Sequence, residues 1–200
     1  MISRSASQVA TGLPINGEPA SDVVAALRAA TVERHRTIDR SMPLSRPNPQ
    51  LTDYVEHLRI MRTWLQPLEC WLGGSAILQT SLIDADLVEA GVPERANAAN
   101  GTSGRPVDAT ASYRWGARYV IEGSRLGAAV LYRRLSHALR PHKLRYLQDG
   151  TGISPDRWPN FLRELRASVK TPAEIEQACQ GACASFDALI AICPSESEHS

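Results

Sequence analysis

Apolar residues recur at three- and four-residue spacing over long stretches of this chain, separated by short breaks rich in Pro, Gly or Asn, and almost nothing alternates with period two. The pattern predicts an all-helical fold. Ser21 as N-cap and Asp22 as first-turn acid start a helix that runs to about Arg40, where the three prolines of "SMPLSRPNPQ" end it. A second helix, "LTDYVEHLRIMRTWLQPLECWL", opens at Thr52 with a buried stripe of Tyr54, Val55, Leu58, Met61, Leu65 and Leu68, and Pro67 is expected to kink it. "SAILQTSLIDADLVEAG" is a shorter helix closed by Gly91 and Pro93. "VPERANAANGTSGRPVDAT" lacks periodicity and reads as the longest internal loop.

A long helix is expected from about Ala109 to Leu139, a short one over "HKLRYLQ", and another over "SPDRWPNFLRELRASV". The last helix, "TPAEIEQACQGACASFDALIAI", has Thr171 as N-cap and Pro172 at its first position. No internal repeat divides the chain. Residues 1–20 and 194–200 are polar and rich in small residues, so they are expected to be frayed tails around one domain, 21–193.

Charge narrows the partners. Lys and Arg number 22 against 21 Asp and Glu, so no overall field draws the protein to nucleic acid or to an anionic membrane. The first twenty residues have no apolar run of signal-peptide length, and no later segment approaches a membrane span. The four cysteines, at 70, 179, 183 and 193, form no CxxC pair and no disulfide ladder. Reduced thiols and a cytoplasmic location are the expectation.

Two segments break the helical rules. In "YVIEGSRLGAAVL", Gly123 and Gly127 stand four apart inside a helix, on one row with Trp115 and Tyr119. Each interior Gly costs roughly 1 kcal/mol relative to Ala. Either a neighbouring helix packs closely on the bare backbone, which spacing alone favours, or a flat ligand lies against it. In "LRAATVERHRTIDR", His35 shares a face with Thr31 and Arg28, the last about 10 Å away along the axis. A lone helical His is more often a satisfied core or surface residue than a ligand, and His57, His137, His142 and His199 read the same way. No second His stands at metal-site spacing from His35. Haem removes that objection, because its iron asks the protein for as few as one axial imidazole.

These segments carry a family resemblance. "LRAATVERHRTIDRSMPL" resembles the proximal-histidine segment of haem oxygenases, and "YVIEGSRLGAAVL" resembles their glycine-containing distal helix. The Gly-Ser variant is similar to the bacterial group associated with bacteriophytochromes. The Thr-Pro start of the final helix and its later Phe fit as well, so the resemblance covers residues 21–193. It implies an all-α, single-domain haem oxygenase-like bundle with haem sandwiched between a proximal and a distal helix.

The resemblance also implies roles. His35 takes the place of the iron ligand, Arg28 that of a basic residue near a propionate, and Thr31 lies between them on the same face. Gly123 and Gly127 fall where the distal helix crosses the haem, Ser124 stands where many relatives have an Asp that organises water, and Phe186 matches a pocket aromatic. Arg163 or Arg166 matches a second propionate partner, and Arg118 stands where some relatives have Tyr. Asp39, one turn beyond His35, is either an acceptor for the imidazole N–H or a solvated helix-end carboxylate. Ala128 departs from the usual second glycine and Ser124 from the usual acid.

The implied reaction opens haem, both cofactor and substrate, to biliverdin, carbon monoxide and ferrous iron, using O2 and an external reductant. No flavin or nicotinamide fingerprint is present, so a ferredoxin, flavodoxin or reductase is the expected electron donor, and a bacteriophytochrome a possible biliverdin acceptor. Arg28, Arg34, Arg36 and Arg40 are a candidate docking cluster or simply a solvated face. Two other classes compete: a haem-binding protein of the same fold without turnover, and a haem-free helical protein such as a thiaminase-like hydrolase or an interaction scaffold.

Overall fold

The computed structural model describes residues 22–69, 74–92, 109–149 and 155–194. Seven α-helices make up the described chain: α1 (Val23–Ser41), α2 (Leu51–Leu65), α3 (Gly74–Glu89), α4 (Ala111–Leu135), α5 (Arg145–Asp149), α6 (Arg157–Ser168) and α7 (Pro172–Ile190). No strand occurs among the described residues, as the absence of period-two patterning predicts. The two tails, Ser21, Cys70, Pro93 and most of the long loop lie outside the described residues.

Local chemistry sets the ends of the helices. Thr171 and Glu174 form a reciprocal box at the start of α7: the Glu174 amide donates to the Thr171 hydroxyl at 3.2 Å, and the Thr171 amide donates to the Glu174 carboxylate at 2.9 Å. A carboxylate that accepts backbone amides is held below its usual range, and Glu174 is so held. Gly91, at φ +76°, ends α3, and the Val92 amide reaches back to the Leu87 carbonyl at 3.0 Å. Three expectations shift. Asp22, not Ser21, stands at the N-cap of α1, and its carboxylate pairs with Arg166 of α6 at 2.8 and 3.0 Å. Thr110 caps α4 two residues later than expected, and α4 stops at Leu135 instead of Leu139. Pro67 does not kink a continuing α-helix, because the chain tightens into a 3-10 turn over Gln66–Leu68.

α7 is the shared support. Both α4 and α1 pack along it, whereas α1 and α4 scarcely touch one another. The α4–α7 crossing depends on two glycines that the sequence pattern does not single out. A Cβ on Gly116 would overlap the Ala178 carbonyl, and one on Gly181 would overlap the Tyr113 carbonyl. Each helix therefore seats its backbone on the other where the side chain is missing. α1 is held to α7 by the Arg34–Asp187 pair, at 2.7 and 3.0 Å, and by the Cys183 thiol on the Ala30 carbonyl at 3.5 Å.

The opposite side is closed by α2, α3 and α5 around a buried carboxylate. Asp86, with 1% of its side chain exposed, accepts from the Tyr54 hydroxyl at 2.7 Å, the Tyr146 amide at 2.9 Å and Arg145 at 3.0 Å. Burial and the neighbouring carboxylate push the Tyr54 phenol far up, so it stays a donor. One side chain thus joins three helices and fixes where the ring of Tyr146 stands.

Candidate functional site

Because α1 and α4 rest on α7 and not on each other, space remains between them. A cavity of about 550 Å³ fills it, lined from α1 by Thr31, His35, Ile38 and Asp39. From α4 come Tyr119, Gly123, Ser124, Gly127 and Ala128, with Leu126 and Val130 at the mouth. α2 contributes His57, Met61 and Trp64, while Tyr146, Trp158, Phe186 and Leu189 complete the lining. The volume falls within the roughly 300–1,000 Å³ of small-molecule sites.

His35 stands at the mouth, its side chain 64% exposed, with its ring centroid 5.9 Å from that of Phe186. Its Nδ1 lies 2.9 Å from the Asp39 carboxylate. The carboxylate accepts, so Nδ1 carries the proton and the lone pair is left on Nε2. Of the two readings of Asp39, this contact realises the first, although the carboxylate is itself well exposed.

The two central glycines resolve differently from what spacing favours. A Cβ on Gly127 meets nothing within 4 Å, and one on Gly123 meets only the far edge of Trp158, at 4.0 Å. No helix packs against them. The close-packing role belongs to Gly116 and Gly181, and Gly123 and Gly127 instead leave bare backbone beside the cavity. Ala128 is buried among the lining residues. The Ser124 hydroxyl donates its proton to the Ile121 carbonyl at 2.8 Å, one turn back on its own helix.

The arginines scatter. Arg28 approaches the Tyr119 hydroxyl and offsets part of the burial that pushes that phenol up. Arg118 stacks on the ring of Trp115 at 4.4 Å and lies over Phe161 at 5.8 Å, outside the lining. Arg163 is exposed and donates to Asn160 at 2.6 Å, and Arg166 is engaged with Asp22, so neither lines the cavity. In the cluster on α1, Arg34 is balanced by Asp187 and Arg36 by Glu33, which halves the charge available to an acidic partner. His35, Thr31, Gly123, Ser124, Gly127 and Phe186 are therefore brought together, while Arg118 and Arg163 stand apart.

Sequence reasoning passed over His57. It is 6% exposed, its Nδ1 has no partner, and burial pushes its imidazole down to about 4, so it is neutral. An unsatisfied buried polar atom costs about 1–3 kcal/mol. The signal was its place on the stripe of α2, three residues after Tyr54 and four before Met61. Trp64 was missed on the same helix, where its indole N–H donates to the Ser185 carbonyl at 2.9 Å and ties α2 to α7.

Among the described residues no three His, Cys, Asp or Glu side chains gather to hold a metal ion. None of the described helices is long and apolar enough to cross a membrane. Comparison of the chain with protein-family models and with curated proteins finds no match.

Proposed function

We propose that this chain is a haem oxygenase-like enzyme that binds haem between α1 and α4 and opens it to biliverdin, carbon monoxide and ferrous iron. The observation that carries the reading is the pairing of an oriented imidazole on one wall with an uncovered backbone on the other. A planar macrocycle fits such a slot better than a rounded ligand does.

The residues present suit the group. His35 offers a neutral nitrogen with its tautomer fixed by Asp39. Gly123 and Gly127 leave no Cβ in the way of a flat face, and Phe186, Leu189, Met61 and Trp64 supply an apolar surround that excludes water. Arg28, beside Tyr119, is the cation best placed to meet a propionate, and the second propionate partner is not Arg166. Bound haem supplies the oxygen chemistry and is itself the substrate, with O2 and an external reductant as co-reactants. The protein orients the ring, and Gly123 and Gly127 let α4 backbone approach it.

A ferredoxin, flavodoxin or reductase is the electron source in this reading, and a bacteriophytochrome a candidate acceptor of biliverdin. The pairing of Arg34 and Arg36 within the chain leaves Arg28 and Arg40 to carry the docking charge on α1.

One observation favours a second reading, a haem carrier without turnover. The Ser124 proton is engaged by Ile121, and Ala128 puts a methyl where relatives have none. Mixing the purified chain with hemin and a ferredoxin system or ascorbate separates the two. Loss of the Soret band with growth of a biliverdin spectrum supports the enzyme, and a stable spectrum supports the carrier. A His35→Ala variant that binds hemin as tightly, with an unchanged iron spectrum, rules out both.

A further inference from the structure

A census of the polar side chains around the cavity leaves two without hydrogen-bonding work. Thr31 donates to the Leu27 carbonyl at 2.8 Å, Ser124 to Ile121, Trp64 to Ser185, and His35 is held by Asp39. Tyr119 meets Arg28. His57 makes no hydrogen bond, and among the described residues none reaches the Tyr146 hydroxyl. These two residues are 6% and 4% exposed, stand on different helices, and have ring centroids 6.2 Å apart, tilted by 48°.

We propose that His57 and Tyr146 form a polar subsite in the inner wall of the cavity that holds water, and that this water, not Ser124, is the hydrogen-bond donor to whatever is bound against α4. The inference rests on the functional reading above and names two further positioning residues for it. Buried polar groups in folded proteins are satisfied by protein or by ordered water, and a buried water needs two to four polar partners. Two adjacent residues facing a cavity, with no direct bond between them, provide those partners.

The placement is built and not incidental. Tyr146 is anchored by its amide on Asp86, and α5 is joined to α4 by the Arg125–Asp149 pair at 2.6 Å, which puts the phenol on the α4 side. Burial keeps both groups neutral, His57 by pushing its imidazole down and Tyr146 by pushing its phenol up. A neutral imidazole and a phenol each donate one hydrogen and accept another, so the pair can orient water toward a guest while remaining uncharged.

Two measurements test this. In the ligand-free chain with labelled histidine, NMR should show exchange-slowed water cross-peaks to the His57 ring, lost in Tyr146→Phe. In the ferric hemin complex, fluoride affinity reports a hydrogen-bond donor beside the iron. It should fall about tenfold or more in His57→Phe and in Tyr146→Phe, the weight of one good hydrogen bond, and stay unchanged in Ser124→Ala. Hemin affinity should change little, because His35 is untouched. No water at His57, or fluoride affinity unaltered in Tyr146→Phe, overturns the proposal even should His57→Phe fail to fold. A wild-type chain that takes up no hemin overturns the functional reading instead, and the NMR measurement then decides the water subsite alone.

Discussion

Three alanine substitutions within α4 should separate the glycines that pack from those that bind. At Gly127 the new methyl enters open space, and at Gly123 it reaches ordinary contact with Trp158 at 4.0 Å. Neither site has a positive φ, so the gain is that of replacing an interior helical Gly, about 1 kcal/mol each. For a chain of this size that raises Tm by about 2–4 °C per substitution. At Gly116 the methyl meets the Ala178 carbonyl, a backbone atom that moves only with α7. Overpacking of that kind costs about 3 kcal/mol, a fall in Tm of about 6–12 °C. Thermal unfolding of the ligand-free proteins, followed by circular dichroism, gives the signs directly. Hemin titration then tests use: Gly127→Leu, which fills the space, should fold and yet bind hemin at least tenfold more weakly. Destabilisation by Gly123→Ala and Gly127→Ala comparable to that by Gly116→Ala would refute the reasoning, since it would mean that α4 is covered along its whole length.

Other outcomes follow from the buried polar groups. Asp86→Ala leaves the Tyr54 hydroxyl, the Tyr146 amide and Arg145 without their common acceptor, and urea unfolding should show a loss of about 3–5 kcal/mol. His57 is held near 4 when folded against 6.5 for the free side chain, so the unfolded chain binds the extra proton. Its contribution is therefore whole above pH 6.5 and declines as pH falls toward 4, by up to about 1.4 kcal/mol per unit, a slope that His57→Phe should flatten. Asp39→Ala removes the acceptor of the His35 N–H and should weaken hemin binding about 10–100-fold with little change in Tm, because both side chains are exposed.

Helices with chemical punctuation were readable from the residues alone. The Thr171, Pro172 and Glu174 start of α7 and the Gly91 stop of α3 are local devices, and local devices survive folding. Contacts between distant helices were not readable. Gly116 and Gly181 each look like a lone tolerated glycine, 65 positions apart, and only the crossing shows that they serve one another. The Gly123 and Gly127 pair drew notice by its spacing, but spacing cannot say whether a neighbour fills the gap. Arg166 looked as available as Arg163 until Asp22, 144 residues earlier, took it. His57 blended into an apolar stripe, because a sequence shows that a residue is buried more readily than whether its nitrogens are answered.

The arrangement of α1 and α4 on a common α7 has a mechanical consequence. Both walls are cantilevers from one beam, so the gap between them is a property of the scaffold and exists before any guest arrives. Admission of a flat molecule need not unzip a packed seam, and the rate of loading should be governed by passage between the lips at Leu126, Val130 and His35. Departure of a larger, twisted product instead asks α1 to tilt on its beam, with the Arg34–Asp187 clasp as the fastening that must give.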